Sequence, residues 1–277
     1  IADNTGNYMI QFPGGDFRKG ERISIEGLQA PFGVATDDQN RIWVSSSFNN
    51  KLTVIQGDSP DQYKTVTVAL GARGLAIDSK GNAWISQQSN SPTGALPAGA
   101  VMPPGTPNPP QQPKTIMQEF EAGAAFAAAN PNLQTLGNLA LISPDLEIIK
   151  NGVAGEVAFV PWGVTIDGND NVWVGNLYGQ SLIHICGTDP STCPDGKTTG
   201  DVIHNYQSGV IQVTTDVVVD DAGNIWSANN WYDADVVINN SYSPRTSTFP
   251  GGQGLVVTYG VAAPVQNPLF GAVRKPN

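Results

Sequence analysis

PWGVTIDGNDNVWVGNLYGQSLIHI, residues 161–185, reads as a short apolar run, a polar turn opened by an aspartate, and a second apolar run built on a tryptophan. That is a strand, a tight hairpin and a strand. Aligned on its tryptophan, PFGVATDDQNRIWVSSSFNNKLTVI (31–55) falls into register without a gap, and ARGLAIDSKGNAWISQQSN (72–90) does the same. TTDVVVDDAGNIWSANNWYD (214–233) is a fourth copy.

The tryptophans of these copies are Trp43, Trp84, Trp173 and Trp226, with successive spacings of 41, 89 and 53 residues. A period near forty with several strands per unit marks a propeller array. The first residues fit the same scheme, because IADNTGNYMIQF (1–12) superimposes on VSSSFNNKLTVI (44–55). A fifth tryptophan would then precede Ile1. The expected fold is all-β: a β-propeller with five recognisable blades in a five- or six-bladed ring, residues 1–277 forming one domain. Because Ile1 falls inside a predicted strand, sequence upstream of it is expected to be missing.

The pattern P-x-G-V-x-x-D-x-x-x-N-x-W-V resembles the repeat of NHL and streptogramin-lyase-like β-propellers, and is similar to that of secreted bacterial propellers of undefined role. That resemblance implies the fold. It leaves function open among lyases, lactone hydrolases and binding platforms.

Composition narrows the partners. With 14 Lys and Arg against 24 Asp and Glu, the formal charge is -10, so a nucleic-acid backbone is excluded as a natural partner. No run of eighteen apolar residues is present, which argues against a helical membrane span. Cys186 and Cys193, the two cysteines, bracket a loop of turn formers, CGTDPSTCPDG. One such pair predicts a local disulfide in preference to a metal site, and with it a secreted, extracellular or periplasmic setting.

Within each copy an aspartate, Asp37, Asp78, Asp167 or Asp220, opens the first turn, where its carboxylate can accept backbone N–H groups. Recurrence at one repeat position marks these four as scaffold. The tryptophans are expected to fill the wedge between neighbouring blades. Residues 91–136 interrupt the third unit: a Pro-rich, aperiodic stretch (91–113) precedes KTIMQEFEAGAAFAAAN (114–130), whose Thr115 and Gln118 form a capping box ahead of a helix. This insertion leaves the blade after its second strand and should overhang one mouth of the ring. LALIS and LEIIK complete the blade. Near the end, APVQNPLFGAVRK echoes QAPFGVAT and could supply a first strand that pairs with the one starting at Ile1; a missing upstream blade is the rival account.

Loops leading into first strands and those joining second to third strands crowd around one opening of a propeller. The residues they present as ligand-binding candidates are Arg73, Gln87, Trp162, Asn176, Tyr178, Asn229, Asn230, Trp231 and Tyr232. Carboxamides supply paired donors and acceptors, and flat rings supply apolar faces for sugars. The competing reading is that these asparagines hold turns and the rings staple loops. Streptogramin lyases use histidines, a glutamate and a divalent metal. Here His184 and His204 have no histidine or glutamate neighbour at a useful spacing, so that site is not expected. Lactonase-type propellers hold Ca²⁺, and Asp3, Asn176, Asp216 and Asn229 are the oxygen ligands available for such a cation. The first function expected is therefore a secreted binding protein that takes a polar or glycan-like ligand or a protein partner, with no cofactor. A lyase or lactonase with a channel metal, and a subunit that self-assembles through its terminal strands, are the alternatives.

Overall fold

Each repeat folds locally around its aspartate. One carboxylate oxygen of Asp37 accepts the N–H groups of Gln39 and Arg41, both at 3.0 Å, and the other accepts Trp43 Nε1–H at 2.7 Å. Asp78, Asp167 and Asp220 repeat the set with Trp84 at 3.3 Å, Trp173 at 3.0 Å and Trp226 at 2.8 Å. The carboxylate thus closes the turn and fixes the indole of the following strand in one geometry. Its scaffold role follows from the repeat; the bond to tryptophan does not.

The computed structural model describes every residue except 91–98, 106–124, 127–128, 131–134, 209, 230–253 and 266–277. Its strands form five antiparallel sheets, each ordered as in the chain. The first holds three strands, β1 (Ala2–Asp3), β2 (Tyr8–Gln11) and β3 (Glu21–Ile23). The second holds β4 (Pro31–Thr36), β5 (Arg41–Ser46), β6 (Lys51–Gln56) and β7 (Ser59–Thr67). β8 (Ala72–Ile77), β9 (Ala83–Gln87), β10 (Asn138–Ile142) and β11 (Ile148–Val153) form the third. The fourth is β12 (Pro161–Ile166), β13 (Val172–Asn176), β14 (Ser181–Ile185) and β15 (Val202–Gln207). β16 (Thr214–Val219), β17 (Ile225–Asn229) and β18 (Gly254–Thr258) are the fifth. This is a β-propeller.

The insertion enters where expected, between β9 and β10, the second and third strands of its blade. Most of the Pro-rich stretch and of the predicted helix lies outside the described residues; Ala125, Phe126 and Ala129 are helical. Cys186 and Cys193 are joined in a disulfide, with Cα atoms 5.6 Å apart. Among the described residues no helix is long and apolar enough to cross a membrane.

The core lies between blades. Trp43 packs with Leu75, Ile77 and Ile85 of the third sheet, Trp84 with Val164, Ile166 and Val172 of the fourth, and Trp173 with Val217, Val219 and Ile225 of the fifth. Those three indoles are fully buried, as the wedge argument requires. Trp226 differs: it is 37% exposed, beside an exposed Val218, on a face of the fifth blade against which no sheet packs among the described residues. Residues 261–265 add no fourth strand to this sheet. They cross the hairpin turns instead, Ala262 N–H donating to the Gly223 carbonyl and Gly168 N–H to the Ala263 carbonyl, each at 3.1 Å. The segment expected to supply a closing strand, 266–277, lies outside the described residues.

Glycine of the P-x-G pattern is required by close approach of the next blade. A Cβ on Gly33 would lie 2.4 Å from the Arg73 carbonyl oxygen, one on Gly74 2.2 Å from that of Trp162, and one on Gly163 2.7 Å from Asp216 Cα. First strands therefore touch backbone to backbone around the axis. Ser45 and Ser86 complete the joint. Gly33 N–H donates to Ser45 Oγ at 2.8 Å, and that hydroxyl donates to the Arg73 carbonyl at 2.6 Å. Ser86 likewise accepts from Gly74 N–H and donates to the Trp162 carbonyl.

Candidate functional site

The first strands of the second to fifth sheets all break register at the same place: between Pro31 and Val34, Ala72 and Leu75, Pro161 and Val164, and Thr214 and Asp216. These are β-bulges, which re-aim a side chain out of the ladder. The residues they release are Phe32, Arg73, Trp162 and Thr215. Thr215 occupies the position of the three large side chains, and Asp216 takes the glycine position, against Gly163.

Three of these bulged residues meet. The Arg73 guanidinium lies 4.9 Å from the Phe32 ring centroid and 4.6 Å from that of Trp162, while the two rings contact edge to face at 5.5 Å. Arg73 Nη1 donates to Ser47 Oγ at 2.6 Å. Arg73 is wholly buried, Trp162 and Tyr178 nearly so, and Phe32 stays partly open. Burial pulls the guanidinium down to about 9, with Tyr178 acting in the other direction, so it is still a cation at neutral pH. A desolvated cation between aromatic faces gains more from each of them than it would in water. Tyr178 in turn packs edge to face on Phe159 at 6.0 Å, on the lead-in to β12.

The carboxamides do different work. Gln87, Asn176 and Asn229 each end a second strand, and each side-chain oxygen accepts a backbone N–H from the segment before its blade's first strand: Ala69 for Gln87, Phe159 for Asn176 at 2.7 Å, Gln212 for Asn229 at 3.1 Å. Their amide nitrogens are engaged too. Gln87 Nε2 donates to Asn138 and Asn151, Asn176 Nδ2 to the Val157 carbonyl and Ser181 Oγ, and Asn229 Nδ2 to the Val210 carbonyl. They staple the rim on which the rings stand. Asn230, Trp231 and Tyr232 lie outside the described residues.

The proposed cation ligands are likewise engaged by their own blades. Asp3 accepts Gly6 N–H at 2.7 Å and Asp216 accepts Val217 N–H at 2.9 Å. Asp216 is solvent-accessible yet walled by protein, and desolvation raises its carboxyl. Among the described residues no three His, Cys, Asp or Glu side chains gather as a metal cage.

Both histidines lie on the fourth blade, away from the mouth. His184 on β14 stacks on Trp173, centroids 4.0 Å apart, and is directly opposed to His204 on β15. Antiparallel register thus sets side by side two histidines twenty apart in sequence. Burial first, then the neighbouring His204, lower His184 to about 4.

Searches against known proteins bear on the fold. Virginiamycin B lyase from Staphylococcus aureus superimposes over 82% of this chain and 57% of its own, with a TM-score of 0.52 and 11% identity. A catalytically inactive variant of that lyase with quinupristin covers 97% of this chain and 66% of its own, at a TM-score of 0.54 and 11% identity. The chain has the fold of a streptogramin-lyase-like β-propeller. A putative gluconolactonase matches this propeller over 97% of its length and 73% of the other chain, at a TM-score of 0.51 and 13% identity. This propeller spans less than two thirds of the length of the two lyase chains. No protein-family model and no curated protein matches its sequence.

Proposed function

We propose that this propeller is a binding module of an exported protein and takes a polar, glycan-like ligand at the mouth built on Phe32, Arg73 and Trp162. One observation carries the reading: side chains at one bulged repeat position, from three successive blades, converge on a single buried cation between ring faces. A stack of that kind presents an aromatic face and a fixed positive field to a hydroxyl- or carbonyl-rich ligand. The disulfide supports export. Lyase or lactonase chemistry has less support, because both histidines stand on a blade face and the proposed oxygen ligands accept backbone N–H groups as scaffold.

The test is a panel of neutral and acidic oligosaccharides read by thermal shift and tryptophan fluorescence. A ligand should raise the melting temperature in proportion to the logarithm of its excess over Kd. Phe32→Ala should abolish that rise while leaving the unliganded melting temperature within a few degrees of wild type, as a partly exposed ring allows. A panel that moves neither signal, or a Phe32→Ala variant that binds as well as wild type, overturns the assignment.

A further inference from the structure

We propose that His184 and His204 form a two-imidazole chelating site for a divalent transition metal, Cu²⁺ above all, on the face of the fourth blade. It uses none of the residues at the mouth and stands or falls separately.

Directly opposed residues on antiparallel strands share one face, with Cβ atoms about 4.5–5.5 Å apart. That separation suits two imidazole nitrogens converging on one ion. His184 is the fixed member: Trp173 lies parallel to its ring, with an interplanar angle of 12°. His204 is the exposed member, on the outermost strand, with Tyr206 against its edge at 4.3 Å. Both ring nitrogens of His184 are out of contact with solvent and have no hydrogen-bond partner among the described residues. Buried polar nitrogens left in that way cost stability, so a ligand that engages one of them is favoured.

Neutral nitrogen donors without a carboxylate disfavour Ca²⁺ and Mg²⁺, and the order of affinities among first-row ions places Cu²⁺ first. Two protein ligands leave the remaining positions to water, which reaches the pair from the side of the exposed His204. The row Thr165, Trp173, His184, His204 runs straight across the sheet, on the side packed against the fifth blade, so a bound ion would lie beside the Trp173 indole.

The experiment is a Cu²⁺ titration of the intact chain at neutral pH in a non-coordinating buffer, read by tryptophan fluorescence and by electron paramagnetic resonance. Saturable quenching is expected, with hyperfine structure from two nitrogens, and Zn²⁺ should compete only at higher concentration. His204→Ala, an exposed position, should fold normally and weaken binding by roughly 10²-fold, the advantage of a second ligand held at high effective concentration. His184→Gln should do the same, and should it fail to fold, the nitrogen count in His204→Ala, reduced from two to one, decides. Quenching that does not saturate, a His204→Ala variant that binds as tightly as wild type, or a spectrum with oxygen ligands alone overturns the site.

Discussion

Trp226 donates its indole N–H to the Asp220 carboxylate at 2.8 Å and, alone of the four repeat tryptophans, is exposed among the described residues. One sheet earlier, Trp173 and Asp167 make the same bond at 3.0 Å inside a fully packed wedge. The two carboxylates hold near-identical sets of N–H donors and titrate in opposite directions. Hydrogen bonds from Trp226 and Asn224 bring Asp220 down to about 2, whereas desolvation outweighs the bonds at Asp167 and raises it. Donors decide at the open site and burial decides at the closed one.

The signs then separate on acidification. Asp220, lowered in the folded chain, contributes stability that is present above its ordinary range near 3.8 and is lost as pH falls through about 2. Asp167, raised in the folded chain, takes up its proton first there, so its protonation favours folding as pH falls toward the ordinary carboxylate range. Carboxyl carbon shifts followed by NMR should show Asp167 titrating at higher pH than Asp220, and Trp226→Phe should move Asp220 upward. Equal titration of the two carboxyls would contradict this account.

Backbone contact between first strands makes the repeat glycine intolerant. Gly74→Ala places a methyl group 2.2 Å from the Trp162 carbonyl oxygen, where only backbone can yield. We expect a loss of about 3 kcal/mol or more in urea unfolding, the range of severe core disruption. Ser86→Ala, which removes only the hydroxyl relay between the same two strands, should cost about 1–3 kcal/mol, since it leaves a buried N–H and a carbonyl unmatched.

Period, blade count and insertion point were legible because they are recorded as spacing: tryptophans near forty apart, a turn aspartate six residues before each, an interval of 89 where one blade is interrupted. Pairing across strands was less so. Nothing in a linear reading opposes His184 to His204, because that depends on a bulge between His184 and Ile185. The mouth was half legible. Arg73, Trp162 and Tyr178 follow from their place in the repeat, yet the register breaks that release Phe32, Arg73 and Trp162 toward one another leave no mark in the spacing. One signal was present: serine two residues after Trp43 and Trp84, at the position of the inter-blade relay.

The disulfide Cys186–Cys193 closes a small loop that is already bonded to the strand ends, Cys186 N–H donating to the Asp201 carbonyl at 2.9 Å and Gly200 N–H to the Cys186 carbonyl at 2.8 Å. Closure entropy grows only with the logarithm of loop length, so for so short a loop the bridge contributes about 2.5 kcal/mol at most. Reduction, or a Cys186→Ser/Cys193→Ser pair, should lower the melting temperature by a few degrees without changing the far-ultraviolet spectrum. Global unfolding on reduction would show that the loop holds the blade together.

Substitution of Asn176 and of Phe32 separates scaffold from surface. Asn176 is fully buried and makes three bonds, to Phe159 N–H, the Val157 carbonyl and Ser181 Oγ. Alanine there strands two backbone groups, and we expect about 2–4 kcal/mol of destabilisation, from several unmatched polar groups at about 1–3 kcal/mol each. Aspartate keeps the acceptor for Phe159 N–H but faces the Val157 carbonyl with an oxygen, so it should rescue only part of the loss. Phe32→Ala removes a partly open ring that contacts the guanidinium and the Trp162 edge, and leaves every rim bond in place. Its cost should be seen in ligand affinity, with unfolding nearly unchanged. A chain in which Asn176→Ala unfolds like wild type and loses only binding would reverse the assignment, making the carboxamide the ligand contact and the ring the staple.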